Sequence, residues 1–172
     1  APLGDETEQL RADCIRRLCE VLKLRSASMK ARGVAFAVEA ITNFVVRDDG
    51  EEFISQEQAE LLFQRLERVV LSRIGEFIPH YLVKVLCAFS SAGHGSGELF
   101  DQVIARMLPA ILLTAQSEVY EPHESVQMQH SVKYSDMIRF FEVYPEVTYI
   151  FDSTMTPELH QALLAKLNTV ID

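Results

Sequence analysis

The chain has 172 residues, a formal net charge of −9 and a hydrophobic content of 48%. This length and composition are typical of one globular domain rather than a disordered segment. Trp is absent, and Gly and Pro number only 7 and 6, which argues against a sandwich or barrel of many short strands. No apolar run approaches the ~20 residues that a membrane-spanning helix needs, so membrane insertion is not expected.

The charge is distributed unevenly. Residues 11–32 contain seven basic and two acidic residues, a local net charge of +5, whereas the chain from Gly33 onward contains 9 basic and 20 acidic residues. An acidic bulk repels phosphate backbones and makes RNA an unfavoured partner. The basic stretch is either a solvated helix face or a docking patch for an acidic partner. The candidate partner contacts within it are Arg11, Arg16, Arg17 and Lys23.

Apolar residues recur at three- and four-residue spacing, as on the buried face of an α-helix. A first helix is predicted from about residue 6 to 24 and a second from about 30 to 46. A third opens at Ser55, which forms a capping box with Gln58. A fourth is predicted over about 78–92, with Pro79 in its first turn. The buried face of the first helix is predicted to comprise Leu10, Cys14, Ile15, Leu18, Val21 and Leu22.

The second half of the chain is predicted to continue in the same way. A fifth helix contains Leu99 and Phe100, and Pro109 should kink it or end its regular part. Residues 116–130 are predicted to form a long loop, followed by a sixth helix from Ser131 and a seventh over about 156–171. Residues 1–5 are expected to be disordered. The sequence therefore predicts an all-α fold of about seven helices in a single domain spanning 1–172.

Two segments repeat at an offset of 37 residues: "LFQRLERVVL" at 62–71 and "LFDQVIARML" at 99–108. The even-numbered helices also share a pair, an aliphatic residue followed three positions later by Phe. Repeating helix pairs at 34–47 residues indicate an α-solenoid. The sequence thus predicts three helix-turn-helix pairs plus a C-terminal helix, with these repeated positions buried: Phe44, Leu86, Phe89, Leu99, Phe100 and Phe141.

The stretch "AGHGSG" at 92–97 invites comparison with a phosphate-binding loop. Such a loop follows a buried strand and commonly ends in Gly-Lys-Ser/Thr, whereas here a helix precedes and no Lys follows. It is predicted to be a joint, with Gly93 in a left-handed conformation and Ser96 or Gly97 as the next N-cap. His94 is expected to be exposed there without a catalytic constellation, so no enzymatic activity is expected.

Cysteine and histidine spacings predict no cofactor or metal site. Cys14, Cys19 and Cys87 lie in apolar helical patterns, and they are expected to be small buried residues rather than disulfide partners. The five His residues show no spacing typical of metal ligands.

The paired helices, the near-37 period and the "AFSSAG…ELFDQV" sequence resemble the pentatricopeptide and octotricopeptide class of organellar helical repeats. Proteins of that class mostly bind RNA, which leaves an organellar RNA-binding module, or another protein-interaction module, as the alternative reading of this chain. The affinity for RNA oligonucleotides and its dependence on salt would distinguish the RNA-binding hypothesis from the others.

The chain length, the helix number and the acidic charge are similar to those of one family, the extra eighteen-kilodalton subunits of euglenozoan mitochondrial ATP synthases. The resemblance implies a non-catalytic structural subunit on the outside of the catalytic head, bound to the alpha subunit in the mitochondrial matrix. It also implies a place on the matrix side of the inner membrane, in a complex that couples ATP synthesis to hydrogen ion transport. The chain lacks an initiator Met, as removal of an import sequence would leave it, although an artificial start would look the same.

Overall fold

The computed structural model of the chain describes residues 4–45 and 53–116, together with Asp136, Arg139, Glu142, Val143, Gln161 and Ala165. Within these residues the backbone is mostly α-helical and contains no strand, so the all-α prediction is confirmed for this part of the chain. The predicted sixth and seventh helices and the 116–130 loop lie outside the described residues, apart from Gln116 and the six single positions. The ranges 4–45 and 53–116 contain five α-helices: α1 (Asp5–Arg25), α2 (Ala31–Val45), α3 (Gln56–Ser72), α4 (Pro79–Ser91) and α5 (Gly97–Gln116).

The helix starts follow from local hydrogen bonding. At α3 the Gln58 N–H donates to the Ser55 hydroxyl at 3.2 Å, and the Ser55 N–H donates to the Gln58 side chain at 3.1 Å, which is the predicted capping box. Pro79 occupies the first turn of α4, where its missing N–H costs nothing. Gly4 is the N-cap of α1, which begins at Asp5, and the expectation of disorder over 1–5 stays a prediction.

Helix α5 runs past Pro109. The sequence predicts either a kink at Pro109 or the end of the regular helix there, and the second alternative is wrong, because the helix is continuous from Gly97 to Gln116. Proline removes one N–H donor, and the carbonyl of Ala105, four residues earlier, loses its usual partner. The hydrogen bonds of the adjoining turns keep the backbone helical despite this loss.

The described helices pack around a shared core. Helix α3 contacts both α1 and α5, while the most extensive helix contact in this part of the molecule joins α2 to α4. Helix α1 also contacts α2, α2 contacts α3, and α4 contacts α5. The buried apolar residues of these helices form one continuous core. None of the helices within the described ranges is both long enough and apolar enough to cross a membrane.

Helix α4 is deeply enclosed. Residues 82–90 are all buried, including the charged Lys84. The Lys84 ammonium lies 2.7 Å from a carboxylate oxygen of Glu39 on α2, and the Thr42 hydroxyl lies 3.1 Å from the Ala88 carbonyl oxygen. Since a buried polar group is costly without a partner, these two bonds fix how α2 lies against α4.

The predicted core positions can be compared with their burial. Leu86, Phe89, Leu99 and Phe100 are buried, as predicted. Phe44 is only partly buried and packs against the edge of the core, so full burial is wrong for it. The prediction for Phe141 lies outside the described residues.

The 92–97 stretch connects α4 to α5 as predicted. Gly93 has φ of +66°, the left-handed conformation that glycine adopts without strain. The Leu99 N–H donates to the Ser96 hydroxyl at 3.2 Å, which makes Ser96 rather than Gly97 the N-cap of α5. The sequence predicts an exposed His94. In the structure His94 is only partly exposed, because its ring stacks on Phe63 with centroids 4.6 Å apart.

Phe89 provides a test of this packing. Its ring is fully buried and meets Phe63 edge to face, with centroids 5.3 Å apart. Phe89→Ala is expected to lower the free energy of unfolding by about 3–5 kcal/mol, measured by urea denaturation. Leu61→Ala is the control, because Leu61 is exposed on α3 and its change should stay within about 0.5 kcal/mol. A loss below about 1 kcal/mol at Phe89 would contradict its central place in the core.

Candidate interaction surface on the first helix

The inward face of α1 consists of small and medium apolar residues. Ala12, Ile15, Cys19 and Leu22 are buried, and their alternating spacing of three and four residues places them on one side of the helix. This side packs against α2 and α3. One buried apolar face of this kind is typical of an amphipathic surface helix.

The opposite side of α1 is also largely apolar. Leu10, Cys14, Arg17, Val21 and Leu24 follow one another at spacings of four, three, four and three, and we call this set the outward stripe. At 3.6 residues per turn it occupies an arc of about 80° facing away from the core. Leu10 is 65% exposed, Val21 51% and Leu24 75%, on a face where a surface helix usually carries polar residues.

The outward stripe corrects the predicted buried face of α1. Ile15 and Leu22 are buried as predicted, whereas Leu10, Leu18 and Val21 are exposed. Spacing alone cannot separate two apolar stripes on one helix, because each has the same three-and-four period. The alternating run from residue 10 to 24, interrupted by one Arg, is the signal that could have identified the outward stripe.

The structure does not bring the four predicted basic contacts into one patch. Arg17 lies within the outward stripe, while Arg16 and Lys23 border a groove of about 260 Å³ between α1 and α3. The Arg11 guanidinium lies over the Phe53 ring, 5.8 Å from its centroid. These residues therefore face at least three different directions.

Local carboxylates offset two of the four positive charges. Arg16 lies 2.9 Å from Asp13, and Lys23 lies 4.0 Å from Glu20. All four side chains are more than half exposed, so these pairs add little stability, but they reduce the local positive potential. Among the residues that the structure describes, Arg17 has no carboxylate partner.

Polar groups elsewhere hold the fold together. His80 Nδ1 lies 2.7 Å from a carboxylate oxygen of the buried Asp136, and Arg139 lies 3.2 Å from Glu39. The Glu39 carboxylate is partly buried, which by itself would raise its pKa, but hydrogen bonds from Lys84 and Arg139 bring the pKa below its usual value. Sequence reasoning missed these partners, because they are 45 to 100 positions apart and leave no local pattern.

The cleft beside the α4–α5 joint is a second concave surface with titratable groups. It has a volume of about 340 Å³ and includes Glu60, Glu67 and His94. The Ser96 hydroxyl donates to Glu67, so that carboxylate is already engaged. Burial lowers the pKa of His94, although Glu60 opposes the shift, and a neutral ring suits its stack on Phe63. In the described part of the chain, no three His, Cys, Asp or Glu side chains are placed to share a metal ion.

The cysteines give a direct test of which face of α1 is open. Cys14 is exposed and Cys19 and Cys87 are buried, so the expectation that all three are buried is wrong for Cys14. Burial raises the pKa of Cys19, and raises that of Cys87 to about 11, which disfavours their reactive thiolates. A maleimide is expected to modify one thiol rapidly under native conditions, and peptide mass spectrometry should locate it at Cys14. Comparable rates at Cys19 or Cys87 would contradict this placement of α1.

Comparisons with known proteins gave no match, whether to a protein-family model, to a curated protein or to a solved structure.

Proposed function

We propose that the chain is a non-catalytic structural subunit that binds a larger assembly through the outward stripe of α1. The single observation that carries this proposal is the exposure of Leu10, Val21 and Leu24 on the side of α1 opposite the core. Burying a Leu or Val side chain contributes about 1.5–3 kcal/mol. Three such side chains on one helix face supply a sufficient apolar centre for a protein interface.

The proposed architecture is a short α-solenoid. The contacts of α3 with α1 and α5, and of α2 with α4, are those expected when helix pairs stack. Two Arg bonds add to the contacts among the odd-numbered helices. Arg73, the C-cap of α3, donates to the carbonyls of Ala27 and Met29 after α1, and Arg106 of α5 donates to the carbonyl of Gly75 after α3.

A solenoid of this kind makes the outward stripe significant. A solenoid helix face that is exposed to solvent is normally polar, because an apolar face lowers solubility. Helix α1 contacts α3, but its other side carries the outward stripe. We infer that another protein surface covers this side.

The proposed partner is the alpha subunit of the catalytic head of mitochondrial ATP synthase, and the proposed compartment is the mitochondrial matrix. This assignment rests on the resemblance of the paired helices, chain length and acidic charge to the extra eighteen-kilodalton subunits of that complex. An accessory subunit on the outside of the head needs a docking surface and no active site, which suits a stable helical scaffold with one apolar outer face.

Co-sedimentation with the purified catalytic head tests the proposal. The matched variants are Arg17→Glu, which places a charge of opposite sign inside the outward stripe, and Arg16→Glu, which changes the neighbouring residue beside the α1–α3 groove. We expect Arg17→Glu to weaken binding at least about tenfold, or about 1.4 kcal/mol, and Arg16→Glu to leave it nearly unchanged. Circular dichroism should show the same helix content in both, because both side chains are exposed.

Two results would contradict the proposed function. The first is a wild-type chain that does not sediment with the head at micromolar concentration. The second is nanomolar, sequence-selective RNA binding, since a chain without an RNA function is expected to bind RNA only in the non-specific range of about 10⁻⁴–10⁻⁶ M. Equal weakening of binding by both variants would indicate that the whole basic stretch, rather than the outward stripe, forms the contact.

A further inference from the structure

We propose that the outward stripe of α1 pairs with an amphipathic helix of the partner, and that this helix carries an Asp or Glu level with Arg17. The inference rests on the proposed docking function, because it specifies the chemistry of the surface that covers the same face. It does not depend on which protein supplies that helix.

The spacing of the outward stripe favours a helix as the occupant. Leu10, Cys14, Val21 and Leu24, with Arg17 between them, alternate at four and three residues over 15 positions. This is the period of a coiled-coil seam, in which each apolar side chain enters a gap between four residues of the facing helix. Cys14 is smaller than Leu10 and Leu24, so the surface of the stripe has gaps into which side chains of the facing helix can pack.

Arg17 determines what the facing helix must contain. It lies at the midpoint of the stripe, seven residues from Leu10 and seven from Leu24, and it has no carboxylate partner among the described residues. Burying an unpaired guanidinium in an apolar seam is costly, whereas a carboxylate opposite it can accept two hydrogen bonds. A single acidic residue at the centre of the partner's stripe therefore complements the face.

The same central position disfavours a second copy of this chain as the occupant. In a full-length parallel pairing of two stripes, Arg17 faces Arg17 of the other copy. In an antiparallel pairing the two seam positions of the heptad face each other, so Arg17 faces Cys14 or Val21 of the other copy and lies one layer, about 5 Å along the helix axis, from the other Arg17. Like charges at a seam are repulsive, and a charged residue there selects against the wrong partner.

The edges of the stripe refine the partner's chemistry. Asp13 and Glu20 follow one edge, and Leu18 and Arg25 follow the other, as a rotation of about 100° per residue requires. In an antiparallel self-pairing the two acidic edges would meet, which adds to the repulsion at Arg17. The complementary helix has basic residues along the edge that faces Asp13 and Glu20.

Two synthetic peptides test this inference on the full chain. Both are 21-residue amphipathic helices with Leu at the seam positions and basic residues along one edge, and they differ only in Glu or Lys at the central seam position. Fluorescence anisotropy should show the Glu peptide binding wild type at least about tenfold more tightly than the Lys peptide. Arg17→Glu should reverse this preference, and Arg16→Glu should preserve it.

A second measurement examines self-association. Arg17→Leu removes the like-charge repulsion and completes the apolar stripe, so it is expected to shift sedimentation velocity towards a dimer at concentrations where wild type remains monomeric. Maleimide modification of Cys14 should slow in that dimer, which locates the contact on the stripe. A wild-type dimer that protects Cys14 would overturn the inference in favour of a second copy.

Failure of this inference can be told from failure of the proposed function. If the chain binds the catalytic head but binds the two peptides with equal affinity, the inference of an acidic partner helix is wrong and the proposed docking function stands. If the chain prefers the Glu peptide but does not bind the head, the inference of an acidic partner helix is supported and the proposed partner is wrong. A preference for the Lys peptide by wild type would contradict the electrostatic reasoning itself.

Discussion

The enclosure of α4 is the constraint on which the rest of the structure depends. Nine consecutive residues of this helix are buried, so neighbours must cover it on every side. Helix α2 covers one side through the most extensive contact in this part of the molecule, and α5 covers another. The Lys84 ammonium cannot reach bulk water easily from this position, and its bond to Glu39 sets the register between α2 and α4. Replacing Glu39 would leave the buried charge of Lys84 uncompensated, which is costly, whereas Glu39 without Lys84 keeps its bond to Arg139.

The outward stripe of α1 follows from the same packing. Helix α1 lies against α2 and α3, and the inward residues Ile15 and Leu22 are sufficient for that contact. The exposed Leu10, Val21 and Leu24 therefore add nothing to the described core. Apolar residues on such a face cost solubility without stabilising the core, and a binding surface gives them a physical purpose. Arg17 interrupts the stripe, and in the proposed docking role it selects a partner that carries a carboxylate opposite it.

Sequence reasoning predicted the features that depend on local chemistry. The Ser55 capping box and the left-handed Gly93 follow from the hydrogen-bonding and backbone preferences of single residues, and both are present. Of the two predicted effects of Pro109, a kink or the end of the regular helix, the second is wrong, because a long helix can lose one hydrogen bond and continue. The buried side of α1 could be predicted only in part, since two stripes of equal period overlap in the run from Leu10 to Leu24. Pairs such as His80 and Asp136 depend on the tertiary fold, and no local sequence pattern indicates them.

Amide hydrogen exchange of the chain, free and bound to the ATP synthase catalytic head, tests most directly whether another protein covers the outward stripe. Exchange reports the local opening of helices, and a partner seated on one face slows it there. Residues 10–24 of α1 should exchange more slowly in the complex, while the enclosed α4 should change little because it is already protected. Unchanged exchange over 10–24, with slowing in α5 or at the α4–α5 joint, would place the partner elsewhere and contradict the role proposed for α1.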